Sequence, residues 1–140
     1  MDEASITQYI TDSFANVETD TAFGYLFFFY DSDHKLPFAT LAASDNDYDR
    51  VSNLDRPGVF RLNIGVSKTT FQSLFGEARV DVSRYDFTLL DTIMPHPEYA
   101  LQSWVCVLSP GAATLETVKS LLAEAYDLAV KRNTRRQDRE

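Results

Sequence analysis

A single cysteine among 140 residues excludes an internal disulfide framework, so stability has to come from packing, and a reducing compartment suits the chain. Two histidines, His34 and His96, stand far apart and neither keeps zinc-site spacing with the cysteine, which leaves no protein-only metal centre and no cofactor to expect. No apolar run reaches the length that crosses a bilayer. The start, "MDEASITQYI", has neither the basic opening nor the apolar stretch of a secretory signal, so the chain reads as a soluble cytoplasmic protein with no membrane partner. No internal repeat, low-complexity tract or Pro/Ser linker divides it.

With 44% hydrophobic residues, the chain can bury the core of one domain. Basic groups are scarce outside the C-terminus. The last ten residues, "KRNTRRQDRE", hold five basic and two acidic side chains, a local +3, so residues 1–130 carry −11 against a total of −8. Such a body repels phosphate backbones and makes nucleic acid an unfavoured partner. The basic end reads as a solvated helix terminus complementing its own dipole. The expected organisation is one α+β domain over residues 1–132 and a basic, frayed tail over 133–140.

Ile6, Tyr9, Ile10 and Phe14 put one face of a helix from about Ser5 to Phe14 against a core. "YLFFFYD" after Gly24 and "LPFATLAA" read as two strands of a hairpin, with Pro37 at the start or edge of its strand. Ser44 to Gly58 is a polar loop. Beyond it, Phe60, Leu62, Ile64 and Val66 alternate with Arg61, Asn63 and Gly65, the period of a half-buried strand. Ser67 caps a short helix that ends at Gly76. "WVCVL" is a further strand, and Thr114 caps a last helix striped by Leu115, Val118, Leu121, Leu122, Ala125, Leu128 and Ala129. Together these elements predict an α+β fold, a mainly antiparallel sheet with the N- and C-terminal helices packed on one face.

The chemistry on offer is sparse. In "MPHPEY", Pro95 and Pro97 hold the backbone extended and aim His96, which would serve as a general base or ligand-binding donor near Tyr99 and Trp104. A turn histidine closing a local hydrogen bond is the plainer reading, and the one favoured. Cys106 sits in an apolar strand and reads as core filling; no local signature supports a dyad with His96. Arg61 and Asn63 share the polar face of their strand, expected open to the surface opposite the oily layer, where they could line a cleft for a carboxylate, a phosphate or a partner's backbone. Asp45, Asp47 and Asp49 have the spacing that opens a calcium loop, but Arg50 replaces its glycine and Arg56 its bidentate glutamate. "NIGVSKTTF" lacks the glycines of a phosphate loop.

The segments "SNLDRPGVFRLNIGVSKTTFQSLFG", "YDFTLLDTIMPHPEYALQSWVCVLSP" and "LLAEAYDLAVKR" resemble a family of short bacterial hypothetical proteins with a domain of unknown function. More remotely, the order of Tyr99, Trp104 and Tyr126 is similar to MmcQ/YjbR-like proteins, which implies a small CyaY-like α+β domain and brings in DNA binding as an alternative function. The reading placed first is a non-enzymatic binding or interaction domain, self-associating as a homodimer or taking a small ligand or protein partner, with Arg61, Asn63, His96, Tyr99 and Trp104 as its ligand-binding residues. Its rival is an enzyme, a hydrolase for example, with His96 as base and Arg61 and Asn63 orienting the substrate.

Overall fold

The structure is a computed structural model that describes residues 1–32, 34–77 and 79–139. Asp2 opens helix α1 (Glu3–Ser13) by accepting the Ser5 N–H at 2.8 Å, which starts the helix earlier than its apolar spacing suggested. Two short strands follow, β1 (Val17–Ala22) and β2 (Tyr25–Tyr30), paired antiparallel from Val17↔Tyr30 to Ala22↔Tyr25. β1 carries no apolar alternation and went unread in the sequence. It is an edge strand with Glu18 and Asp20 exposed, and charge on an edge discourages further pairing.

β3 (Ala39–Ala42) and β4 (Arg61–Gly65) enclose the polar loop, and Ser67 caps α2 (Lys68–Phe75), which stops at the left-handed Gly76. The two-residue β5 (Met94–Pro95) leads to β6 (Trp104–Leu108), and α3 (Leu115–Arg139) closes the chain. The helix runs on through the basic stretch to Arg139; residue 140 lies outside the described residues. The strands form one six-stranded sheet in the order β1-β2-β3-β4-β6-β5, with every neighbouring pair antiparallel.

Period-two alternation sorts the strand residues onto two faces. In register, Phe28, Ala39, Ile64 and Val105 make one row and Leu26, Leu41, Leu62 and Val107 the next. Ile6 and Ile10 of α1 and Val118, Leu122 and Ala125 of α3 pack on these rows, all of them buried. Burying each large side chain there contributes roughly 1.5–3 kcal/mol.

The start of α3 differs from expectation. Thr114 does not supply the capping oxygen; its hydroxyl donates to Asp91 Oδ1 at 2.5 Å, and the Asp91 carboxylate also accepts the N–H groups of Gly111, Ala113 and Thr114. A carboxylate from a loop distant in sequence thus takes up amides at the helix entrance, where negative charge meets the positive pole of the dipole.

The second face of the sheet also departs from the sequence reading. It is not open to water. Ala42, Met94, Cys106 and Leu108 pack there under Leu54 and Phe87 as a second apolar cluster, because the segments around residues 44–59 and 80–96 fold back over this side. Arg61 and Asn63, expected on the surface, are each 1% exposed. Their side of the sheet was read correctly and their exposure was not.

Candidate functional site

Register places the polar residues of the second face side by side. Phe27, Thr40, Asn63 and Cys106 form one row across β2, β3, β4 and β6, and Tyr25, Ala42, Arg61 and Leu108 the adjacent one. A guanidinium in such a place needs a counter-charge and acceptors for its N–H groups. The loop after β3 supplies them. Arg61 Nη1 donates to Asp49 Oδ1 at 3.1 Å and to Ser52 Oγ at 3.0 Å, Nη2 donates to Asp49 Oδ2, and Nε donates to Asn63 Oδ1 at 3.0 Å. The two-pronged pairing is the strong form of an arginine–carboxylate contact. Asn63 Nδ2 passes a hydrogen to Thr40 Oγ1 at 3.0 Å, and the Tyr25 hydroxyl donates to Asp49 Oδ2 at 2.6 Å.

Burial by itself would raise the Asp49 carboxyl, but the hydrogen bonds from Arg61 and Tyr25 and the Arg61 charge hold it below the usual carboxylate range. The same partnership keeps Arg61 charged: burial opposes the cation, and the Asp49 hydrogen bond and charge raise its pKa despite that. Burial, followed by the hydrogen bond to Asp49, pushes Tyr25 up.

His96 joins this floor from the segment before β6, its backbone N–H held by the Trp104 carbonyl at 2.9 Å. It is 6% exposed. Its Nδ1 accepts the N–H groups of Glu98 at 3.0 Å and Tyr99 at 3.1 Å, closing the local turn that the two prolines set up. An Nδ1 that accepts must carry no proton, so in the neutral ring the proton sits on Nε2. Burial, with the Arg61 charge adding to it, lowers the His96 pKa to about 3, which keeps the ring neutral. Nε2 has no partner among the described residues, and His96 lines a cavity.

That cavity measures about 520 Å³, within the usual range for small-molecule sites. Thr40, Asp49, Arg61, Asn63 and His96 contribute its polar end; Phe23, Tyr25, Phe27, Leu36, Pro37 and Trp104 make its apolar walls. Glu98, Tyr99 and Gln102, all exposed, border it. The Trp104 ring lies against Gly65, its cross-strand partner, where a Cβ would come within 2.9 Å of Cε2; glycine is what lets the indole settle there. Phe23 and Gly24 form the β1–β2 turn with φ of 56° and 83°, the two positive values of a type I′ turn. A phenylalanine in the left-handed region is strained, and Phe23 is also 89% exposed.

Arg61, Asn63, His96, Tyr99 and Trp104, picked from three separate parts of the sequence, therefore border one cavity. Sequence reasoning missed Asp49, Ser52, Tyr25 and Thr40. In the sequence Asp49 stands out only by its calcium-loop spacing with Asp45 and Asp47, and among the described residues no cluster of acidic, histidine or cysteine side chains could hold a metal ion. Register across the sheet puts Tyr25 and Thr40 on the Arg61 face: Thr40 pairs with Asn63, and Tyr25 pairs with Ala42, which pairs with Arg61. Cys106 is fully buried beside this floor, and burial pushes its thiol up to about 12, so it has no nucleophilic character. No helix among the described residues is long and apolar enough to cross a membrane.

A family model described as "Family of unknown function (DUF6194)" matches residues 1–138. The chain belongs to that family. No curated protein matches the DUF6194 chain. Among solved structures, a structural genomics target from Pseudomonas syringae is similar, with a TM-score of 0.63 and 17% identity over 92% of this chain and 99% of that one. At that identity the likeness is one of fold.

Proposed function

We propose that this DUF6194 domain binds a small, largely apolar molecule in the cavity opposite its helices and performs no chemistry on it. The observation that carries this reading is the combination of an aromatic-walled space of about 520 Å³ with a polar end whose charges already satisfy each other. Buried polar groups arranged in advance of a ligand lower the ordering cost of binding.

The enzymatic alternative, with His96 as base and Arg61 and Asn63 orienting a substrate, draws support from the three residues bordering one cavity. It is weakened by the histidine itself. With Nδ1 occupied by two backbone donors and the proton on Nε2, the ring has no lone pair to offer a substrate. DNA binding, the role that similarity to MmcQ/YjbR-like proteins would bring, is supported by a second hollow of about 320 Å³ bordered by Arg132, Arg135 and Arg136, and opposed by the −11 of residues 1–130. The buried, unreactive thiol fits a reducing cytoplasm. Exposed Phe23, Leu36 and Tyr99 around the cavity also suit a second copy of the chain, and a monomer on a sizing column removes that part of the proposal.

The test is a thermal-shift screen of neutral and charged metabolites. A ligand at about one hundred times its Kd adds roughly 2.7 kcal/mol, a rise of several degrees. Thr40→Phe, which fills the cavity from its floor, should abolish the rise. A screen without any shift overturns the proposal.

A further inference from the structure

We infer that the ligand enters with an uncharged hydrogen-bond acceptor foremost, a ketone, an amide or a ring carbonyl on a flat apolar body. This inference rests on the cavity being a ligand site, and it follows from counting which polar groups of the cavity are already committed.

Each of the side-chain acceptors Asp49 and Asn63 at this end already takes at least one hydrogen bond. Asp49 takes both Nη atoms of Arg61 and the Tyr25 hydroxyl, and Asn63 Oδ1 takes Arg61 Nε. The donors are not exhausted. His96 Nε2–H has no partner among the described residues, Asn63 Nδ2 has given only one of its two hydrogens, and the Thr40 hydroxyl, which accepts that one, still has its own hydrogen to give. His96 Nε2–H is thus a donor left wholly without a partner among the described residues, and a ligand acceptor is what completes it. A hydroxyl or amine pointing its own hydrogen at His96 Nε2–H would set donor against donor, and an unpaired buried polar group is costly.

Charge narrows the class further. Arg61 is the cation at this end, and Asp49 neutralises it with two-pronged geometry, so an incoming carboxylate finds no unmatched positive charge. His96 stays neutral, held so by burial and by Arg61, and Glu98 at the border repels an anion. The walls complement this chemistry. Phe27, Tyr25 and Trp104 offer ring surfaces on which a planar apolar body can lie, and Tyr25 and Phe27 already pack with centroids 6.2 Å apart.

The experiment titrates the full chain with three isosteric probes, followed by the amide and imidazole N–H resonances in NMR: 2-acetylnaphthalene, 2-naphthoate and 2-ethylnaphthalene. The expected result is at least tenfold tighter binding of the ketone than of either other probe, with the His96 Nε2–H signal moving downfield. His96→Leu and, independently, Thr40→Val should each shrink that advantage several-fold, while His96→Gln, which restores an N–H donor, should retain most of it. Tightest binding of 2-naphthoate overturns the claim of neutrality, and equal binding of 2-ethylnaphthalene overturns the claim that donors select the ligand; both outcomes leave the cavity a ligand site. An advantage of the ketone that persists in both Leu and Val variants places its oxygen elsewhere and also overturns the inference. Absence of binding by all three overturns the inference together with the reading of the cavity as a ligand site.

Discussion

The guanidinium of Arg61 and the carboxylate of Asp49 meet in a two-pronged ion pair, one partner from the middle of the sheet and the other from a loop twelve residues earlier. Arg61 is 1% exposed and the Asp49 side chain 11%, so the pair fixes that loop over the sheet and sets the charge of the cavity floor.

Removing one member of this pair strands the other. Asp49→Ala should destabilise the domain by about 3–5 kcal/mol in urea unfolding, because Arg61 is then left charged and unmatched in the interior. The double variant Asp49→Leu, Arg61→Met should recover much of that loss, since apolar groups of similar volume replace a desolvated ion pair at small cost. A double variant as unstable as the single one refutes this account of the floor.

Acid should weaken the fold through His96. Its folded pKa, about 3, lies below the ordinary value of 6.5, so between those two limits the unfolded chain binds a proton that the native one does not. Its contribution is complete above about pH 6.5 and declines as pH falls, by up to about 1.4 kcal/mol per pH unit. Unfolding measured from pH 7 to pH 4.5 should show a steeper loss for the parent chain than for His96→Gln. Parallel slopes would mean that the imidazole is not held neutral.

The β1–β2 turn sets stability against binding. Phe23→Asn places a residue suited to positive φ beside Gly24 and should raise Tm by a few degrees, a gain of about 1 kcal/mol. It also removes a ring from the cavity wall, so affinity for any cavity ligand should fall several-fold. A variant both less stable and equally tight in binding contradicts the role given to Phe23.

Trp104 is the only tryptophan, which makes its fluorescence a reporter of the cavity. Gly65→Ala brings a Cβ to within 2.9 Å of the indole, and the ring has to move. The expected outcome is a shifted emission maximum, a loss of about 1–3 kcal/mol from overpacking, and weaker ligand binding. An unchanged spectrum would show that the indole does not rest on Gly65.

Much of the scaffold could be read in advance because it is encoded by neighbours along the chain. Leu62 and Ile64 alternate with Arg61 and Asn63, and that alternation assigns two faces whatever covers them. Ser67 and Gly76 bound α2 through local hydrogen bonding and local φ. β1 escaped notice because an edge strand with five exposed residues has no apolar period to display; it forms by pairing with β2. Thr114 was assigned the cap of α3 because its competitor, Asp91, lies twenty-three positions away.

The site divides along the same line. Chemistry and spacing singled out Arg61, Asn63, His96, Tyr99 and Trp104, because a charged group between aliphatic neighbours and a histidine between prolines are local anomalies. Whether they faced water or one another was beyond any local pattern. The loop bearing Asp49 and Ser52 has no periodicity to indicate where it comes to rest, and the burial of Arg61 depends on it. The amino-acid order by itself determined the helices, strands β2, β3, β4 and β6, and the side of the sheet their residues take, since those follow from backbone geometry over a few positions. The folded molecule alone decided that the polar side is roofed and encloses a cavity, since ion pairing and packing act through space between residues that the chain keeps apart.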